Sequence, residues 1–181
     1  MSVPFHRVIT GHSSTGKAIF TNDDNLPPVN FLDSSKLATA SDFGITYLFR
    51  TEGGNKCLDD SPSSTSLPIS NTVPFKDPYK TDQPIVEPGH ANWRIYEMPP
   101  GTSSTMHRTT SVDFGFVLKG EAVLELDDGL EKVLTEHSGV VQRGTIHAWH
   151  NRTKESTRIM FMILPSETVV VNGQKLADVA L

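Results

Sequence analysis

The sequence predicts an all-β chain folded as one domain, a barrel or sandwich of short antiparallel strands. Two observations predict the class. Strand-like runs recur at a spacing of about ten residues from residue 92 onward, each closed by a turn signal, and no convincing long helix interrupts them. A third bounds the size: 181 residues make one domain of ordinary dimensions with a real core.

Taken in chain order, Arg7-Val8-Ile9-Thr10 and Lys17-Ala18-Ile19-Phe20 flank Gly11 to Gly16 and read as an N-terminal hairpin. Residues 21 to 43 are polar and contain Pro27-Pro28, with no strand pattern of their own, whereas Gly44 to Thr51 is rich in β-branched and aromatic residues. Residues 52 to 90 hold six prolines and little periodicity, and are expected to wrap over the barrel, as a lid or a mobile excursion. Asn92 to Met98 is a strand closed by Pro99-Pro100-Gly101. Phe114 to Leu118, Ala122 to Leu126, Lys132 to Leu134, Gly139 to Gln142, His147 to Trp149 and Arg158 to Leu164 follow as further strands. Phe114, Phe116 and Leu118 read as core, and Val169 to Leu181 as a strand and a short terminal helix. The expected organisation is therefore N-terminal strands and wrapping loop over 1–91, barrel core over 92–165 and a C-terminal strand or helix over 166–181, all in one domain.

Composition narrows the function classes. A net charge of -5 argues against a broad nucleic-acid or anionic-membrane surface. Cys57 is the single cysteine, which excludes an intrachain disulfide and fits a reducing compartment; without a paired base it is not read as a nucleophile. The first residues lack the apolar run of a secretory signal and no stretch reaches membrane-span length, so a cytoplasmic protein is the expectation.

Two spaced blocks carry the chemistry. The first runs Gly101, five residues, His107-Arg108-Thr109, three residues, Asp113, six residues, Gly120; the second is Gly144-Thr145-Ile146-His147-Ala148-Trp149-His150-Asn151. Alternation along a strand puts His107 and Thr109 on one side, and a neighbouring strand can bring His147 to the same interior point. Trp149 shares the inward face of His147, either lining a pocket or filling the barrel, while His150 falls on the opposite side and is read as solvent-exposed. His12, His90 and His137 are assigned to the surface. Arg94, between Trp93 and Ile95, is a candidate for a substrate carboxylate or for an ion pair, and Asp113 for a site role or for a pair with Arg94, Arg108 or Arg143.

The two blocks resemble the paired motifs of the cupin superfamily, and the flanking sequence resembles a subgroup of small cupin_2 proteins of bacteria and fungi. The resemblance implies a double-stranded β-helix, or jelly-roll barrel, with an N-terminal strand extension, and a homodimer paired through N-terminal strands. It also implies one divalent metal (Zn, Fe or Mn) on two histidines and a glutamate of the first motif and one histidine of the second. This chain departs from that pattern: Thr109 stands for the second histidine, Asp113 for the glutamate and Gln142 for a proline. His107, Asp113 and His147 could still form a two-histidine, one-carboxylate set, or serve metal-free as acid and base groups. Three functions stay open: a lyase or isomerase of the dehydratase or decarboxylase type acting on a small molecule in the barrel, a non-haem iron dioxygenase, and a non-catalytic binder. His107, His147 and Asp113 are the candidate catalytic residues; Arg94, Thr109 and Trp149 are the candidate pocket.

Overall fold

The computed structural model describes residues 3–51 and 77–179. The N-terminal hairpin pairs β1 (Phe5–His12) with β2 (Ala18–Leu26), and both strands run further than their apolar residues alone indicate. The polar stretch after Pro27-Pro28 contains two short strands that its composition did not reveal, β3 (Val29–Asn30) and β4 (Asp33–Leu37). They form because β3 pairs on one side with β4 and on the other with β5 (Gly44–Arg50), so backbone pairing outweighs weak local propensity. Then come β6 (Asn92–Met98), β7 (Ser111–Lys119), β8 (Glu121–Glu125), β9 (Glu131–Thr135), β10 (Gly139–Arg143), β11 (Ala148–His150) and β12 (Thr157–Pro165). The C-terminal region holds a minimal hairpin, β13 (Val170–Val171) with β14 (Gln174–Lys175), and a bridge from Val179 to Arg108, in place of the expected helix.

A seven-stranded sheet, in the order β10-β7-β12-β6-β5-β3-β4, faces a three-stranded sheet, β11-β8-β9. From β7 to β12 the chain passes between the two sheets, as in a double-stranded β-helix. The core lies between them: Met98, Ile159, Phe161 and Ile163 of the large sheet meet Ala122, Leu124 and Trp149 of the small one. A second cluster, around Leu26, Leu48 and Ile95, seats Phe5 and Trp93 beside the barrel and so docks the N-terminal hairpin. Arg7 fastens it. This fully buried guanidinium donates to both carboxylate oxygens of Asp24 and of Asp77 and to the Leu48 carbonyl.

The phase of β7 corrects one expectation. Its inward residues are Ser111, Asp113, Gly115 and Val117, so Phe114 is exposed and Phe116 and Leu118 are only partly buried on the outer face. Period-two geometry forces the exchange: with Asp113 in the interior, its neighbour Phe114 must turn out. Gly115 is required by close approach, because a Cβ there would stand 2.7 Å from both Phe161 and Val140.

Of residues 52–90 the structure describes 77–90, where Asp77 pairs with Arg7, Tyr79 packs on the second cluster and Pro84 accepts a hydrogen bond from Arg94. Residues 52–76 of that stretch, Cys57 among them, lie outside the described residues, and with them the expected lid or mobile excursion. Among the described residues no helix is long and apolar enough to cross a membrane.

Candidate functional site

The two sequence blocks meet through their backbones. His107 and His147 face each other as an antiparallel pair, each N–H donating to the other's carbonyl at 2.9 Å, and their rings stand 4.2 Å apart. The turn into this pair needs its glycine: Gly144 sits at a φ of 59°, and any side chain there would strike Val169. Both imidazoles, with Asp113 of β7 and Gln142 of β10, line a cavity of about 360 Å³ between the sheets, the scale of a small-molecule site. His107, His147 and Asp113 are 7%, 3% and 5% exposed, so all three have left bulk water.

Hydrogen bonding settles how each ring is protonated. Nδ1 of His107 lies 2.9 Å from the Thr105 carbonyl, and Nδ1 of His147 lies 2.9 Å from the Thr145 carbonyl. A carbonyl only accepts, so both Nδ1 atoms carry the proton and both Nε2 atoms present a lone pair. The indole of Trp149 donates to Oε1 of Gln142 at 2.9 Å, which turns the Gln142 amide group toward the site. That NH2 donates to Nε2 of His147 and to Oδ2 of Asp113, each at 3.2 Å. Nε2 of His147 is therefore taken. Nε2 of His107 has no protein hydrogen bond among the described residues. Thr109 also lines the cavity, its hydroxyl 2.9 Å from that of Ser111.

Burial sets the charges. It pushes His147 down to about 4, helped by neighbouring His107 and opposed by the bond to Thr145, and it lowers His107 as well. It raises Asp113 against the stabilising bonds of Ser111 and Gln142 and the charge of Arg94. These directions give an expected pH dependence of stability. The unfolded chain titrates its histidines near ~6.5, so above that pH neither state is charged and the histidines add no slope. As the pH falls from about 6.5 toward 4, the unfolded state takes up a proton that folded His147 refuses, and stability drops by roughly 3 kcal/mol, with His107 acting in the same sense. Asp113 acts oppositely, since protonation below its raised pKa relieves the cost of burying a carboxylate. Denaturant midpoints should therefore decline over that window in the wild type and decline less in His147→Gln. Equal slopes would contradict the buried neutral imidazole.

Trp149 both lines the cavity and packs on Phe161, ring centroids 5.6 Å apart. Arg94 is buried and on the inward row of β6, yet it does not line the cavity. Its guanidinium donates to the Pro84 carbonyl and lies 5.2 Å over the Tyr47 ring, with Tyr96 between it and the cavity. Asp113 forms no ion pair with Arg94, Arg108 or Arg143 among the described residues; its carboxyl is stabilised by Ser111 and by Gln142. His150 does face away from His147, but it is largely buried rather than solvent-exposed, held by Glu125 at 2.7 Å and Ser103 at 2.8 Å. His90 is likewise half-buried, bonded to the Thr51 carbonyl at 2.6 Å. Gln142 is the site residue that sequence reasoning passed over. The available signal was its place in the second block, where a polar amide stands for a ring that can neither donate nor accept through a side chain.

The cupin resemblance can now be set against known proteins. The chain is 30% identical over 177 residues to Oryzines biosynthesis cluster protein J of Aspergillus oryzae, covering 96% of this chain and 89% of that one. The Cupin_2 domain profile matches residues 94–163, which span strands β6 to β12. The chain belongs to the cupin family. This cupin is also 31% identical over 180 residues to Phomopsin biosynthesis cluster protein D of Diaporthe leptostromiformis, with 96% and 85% coverage. It is 27% identical over 169 residues to the cupin-domain-containing oxidoreductase virC of Hypocrea virens, covering 92% of this chain and 78% of that one.

A metal on the expected three residues does not fit this arrangement. Nε2 of His147 and Oδ2 of Asp113 are already bonded to the Gln142 amide, and Thr109, in the place of the second histidine, adds only a neutral hydroxyl, a poor ligand for zinc or iron. Among the described residues, the group whose ligand atoms all lie within 4.8 Å of one another is instead Glu125, Glu131 and His150, outside the cavity. Those residues come from three neighbouring strands, β8, β9 and β11, so no local motif announces them. Arg152 already engages both oxygens of Glu131.

Proposed function

We propose that this cupin is an enzyme of secondary metabolism that moves protons on a small organic molecule inside the barrel, as a lyase or isomerase. The observation that carries the reading is the unequal pair of imidazoles. His147 is tied through Gln142, while His107 keeps a free, neutral Nε2 at the cavity, the form a general base requires. Asp113, raised by burial and with Oδ1 unpartnered, supplies the matching acid.

In a dehydration of a β-hydroxy carbonyl compound, Nε2 of His107 takes the proton from the carbon beside the carbonyl. The electron pair forms the new C=C bond as the hydroxyl leaves, protonated by Asp113, as water. Proton transfer from His107 back to Asp113 resets the site. An isomerisation uses the first step and returns the proton at another carbon. The secondary-metabolic setting rests on the relatives named for oryzine and phomopsin biosynthesis clusters.

The relative named as an oxidoreductase favours a second reading, an iron-dependent oxygenation, which would require Gln142 to release His147. One experiment separates the two. The purified protein is incubated in D2O, with a strong chelator, with a panel of enolisable and β-hydroxy carbonyl compounds, and products are followed by NMR. Loss of water or gain of a C–D bond in the presence of chelator is expected. Turnover that needs added iron and consumes dioxygen would replace the proposal with the second reading.

A further inference from the structure

We infer that the barrel takes an uncharged, ring-bearing molecule with one hydroxyl or carbonyl group, and rejects carboxylates and phosphate esters. This deepens the proton-transfer reading by naming the substrate class for the same cavity.

Two unlike walls define the class. One is aromatic: Phe31, Phe43, Tyr96, Phe161 and Trp149 form a connected series of tilted and edge-to-face rings at centroid spacings of 5.6 to 6.4 Å. Such a wall receives a flat apolar body through its area and through ring-to-ring contact. The other is a short polar strip of His107, Asp113, Gln142 and His147, with Thr109 beside it. Most of its hydrogen-bonding capacity is spent internally, and what is left facing the cavity is Nε2 of His107, since the unpartnered Oδ1 of Asp113 has almost no accessible surface. That is room for one polar atom of a ligand.

Among the described residues, no lysine or arginine lines the cavity. The buried Arg94 is held behind Tyr96 by the Pro84 carbonyl and the Tyr47 ring. An anion brought into this space would lose its hydration, touch no cation among the described lining residues and meet the Asp113 carboxyl, with only Arg94 acting through space. A ligand with a single neutral oxygen loses little and pairs with the strip. The consequence for chemistry is a choice among the lyase options: dehydration and isomerisation need no carboxylate on the substrate, and decarboxylation does.

The test uses a matched pair of probes, p-cresol and p-toluate, with the same ring and methyl group and opposite charge character. Binding is measured at pH 7.5 by saturation-transfer NMR and calorimetry, on the wild type and on Thr109→Lys, which places a cation on the cavity wall. Expected is a preference of at least about tenfold for p-cresol in the wild type, reduced or reversed in Thr109→Lys. Equal or tighter binding of p-toluate by the wild type overturns the inference, as does binding of neither probe at about 10 mM. Because binding is read without turnover, the two proposals fail separately. A p-cresol preference in a protein that turns nothing over in the chelator assay sinks only the proton-transfer reading. Preference for p-toluate with His107-dependent turnover sinks only the substrate class.

Discussion

His107→Ala is expected to lower kcat on any compound turned over in the chelator assay by about 10²- to 10⁴-fold, the range lost when a positioned general base is removed. The size follows from the wiring. His147 cannot take over, because its Nε2 is engaged by Gln142 and its Nδ1 by the Thr145 carbonyl. KM should change much less, since the aromatic wall that holds the ring of the substrate is untouched. Deleting the imidazole also leaves a space at the cavity wall, so added imidazole should restore part of the rate in His107→Ala. A structural role for His107 would give neither the split between kcat and KM nor the rescue. Unchanged kcat would end the assignment.

The second large effect is on stability. Asn151→Ala is expected to cost about 3 kcal/mol, or a fall in Tm of about 6 to 12 °C, measurable by thermal or denaturant unfolding. Asn151 is fully buried, and its Nδ2 donates to the carbonyls of Met98, Pro99 and Glu155 at 2.7 to 3.1 Å. Its Oδ1 accepts from the backbone and hydroxyl of Thr153. One side chain thus joins the end of β6 to the loop that enters β12. Alanine leaves buried carbonyls without donors, which costs more than the bonds themselves contribute. Asn151→Asp should be no better, since a carboxylate has no N–H for those carbonyls. A change below about 1 kcal/mol would show that the loop re-satisfies them another way.

Asn151 also shows what kind of information the second block carried. The spacing from Gly144 through His147 to Asn151 was readable as a unit, but it mixes a conformational requirement, a site residue and a structural clamp, and spacing does not separate these roles. Asp113 is a similar case. Its inward placement followed from the motif, yet the neighbouring Phe114, Phe116 and Leu118 were read as core although strand alternation sends them outward. Hydrophobicity and phase disagreed there, and phase won because the buried carboxyl is tied to Gln142 across the β7–β10 ladder. Arg94 was left between a substrate carboxylate and an ion pair; it is buried behind Tyr96, because depth along the row decides whether a residue meets the cavity.

By itself the sequence determined the strand-rich class, because alternation and turn chemistry are local; the cupin barrel and the meeting of His107 with His147 followed from the resemblance of the two spaced blocks to the cupin motifs. Only the tertiary structure decided which imidazole is free. That choice depends on a bond from Trp149 to Gln142 and two from Gln142 onward, made between side chains from different strands. Hydrogen-bond direction across a folded interior is a property of three-dimensional placement, and no period or spacing along the chain records it.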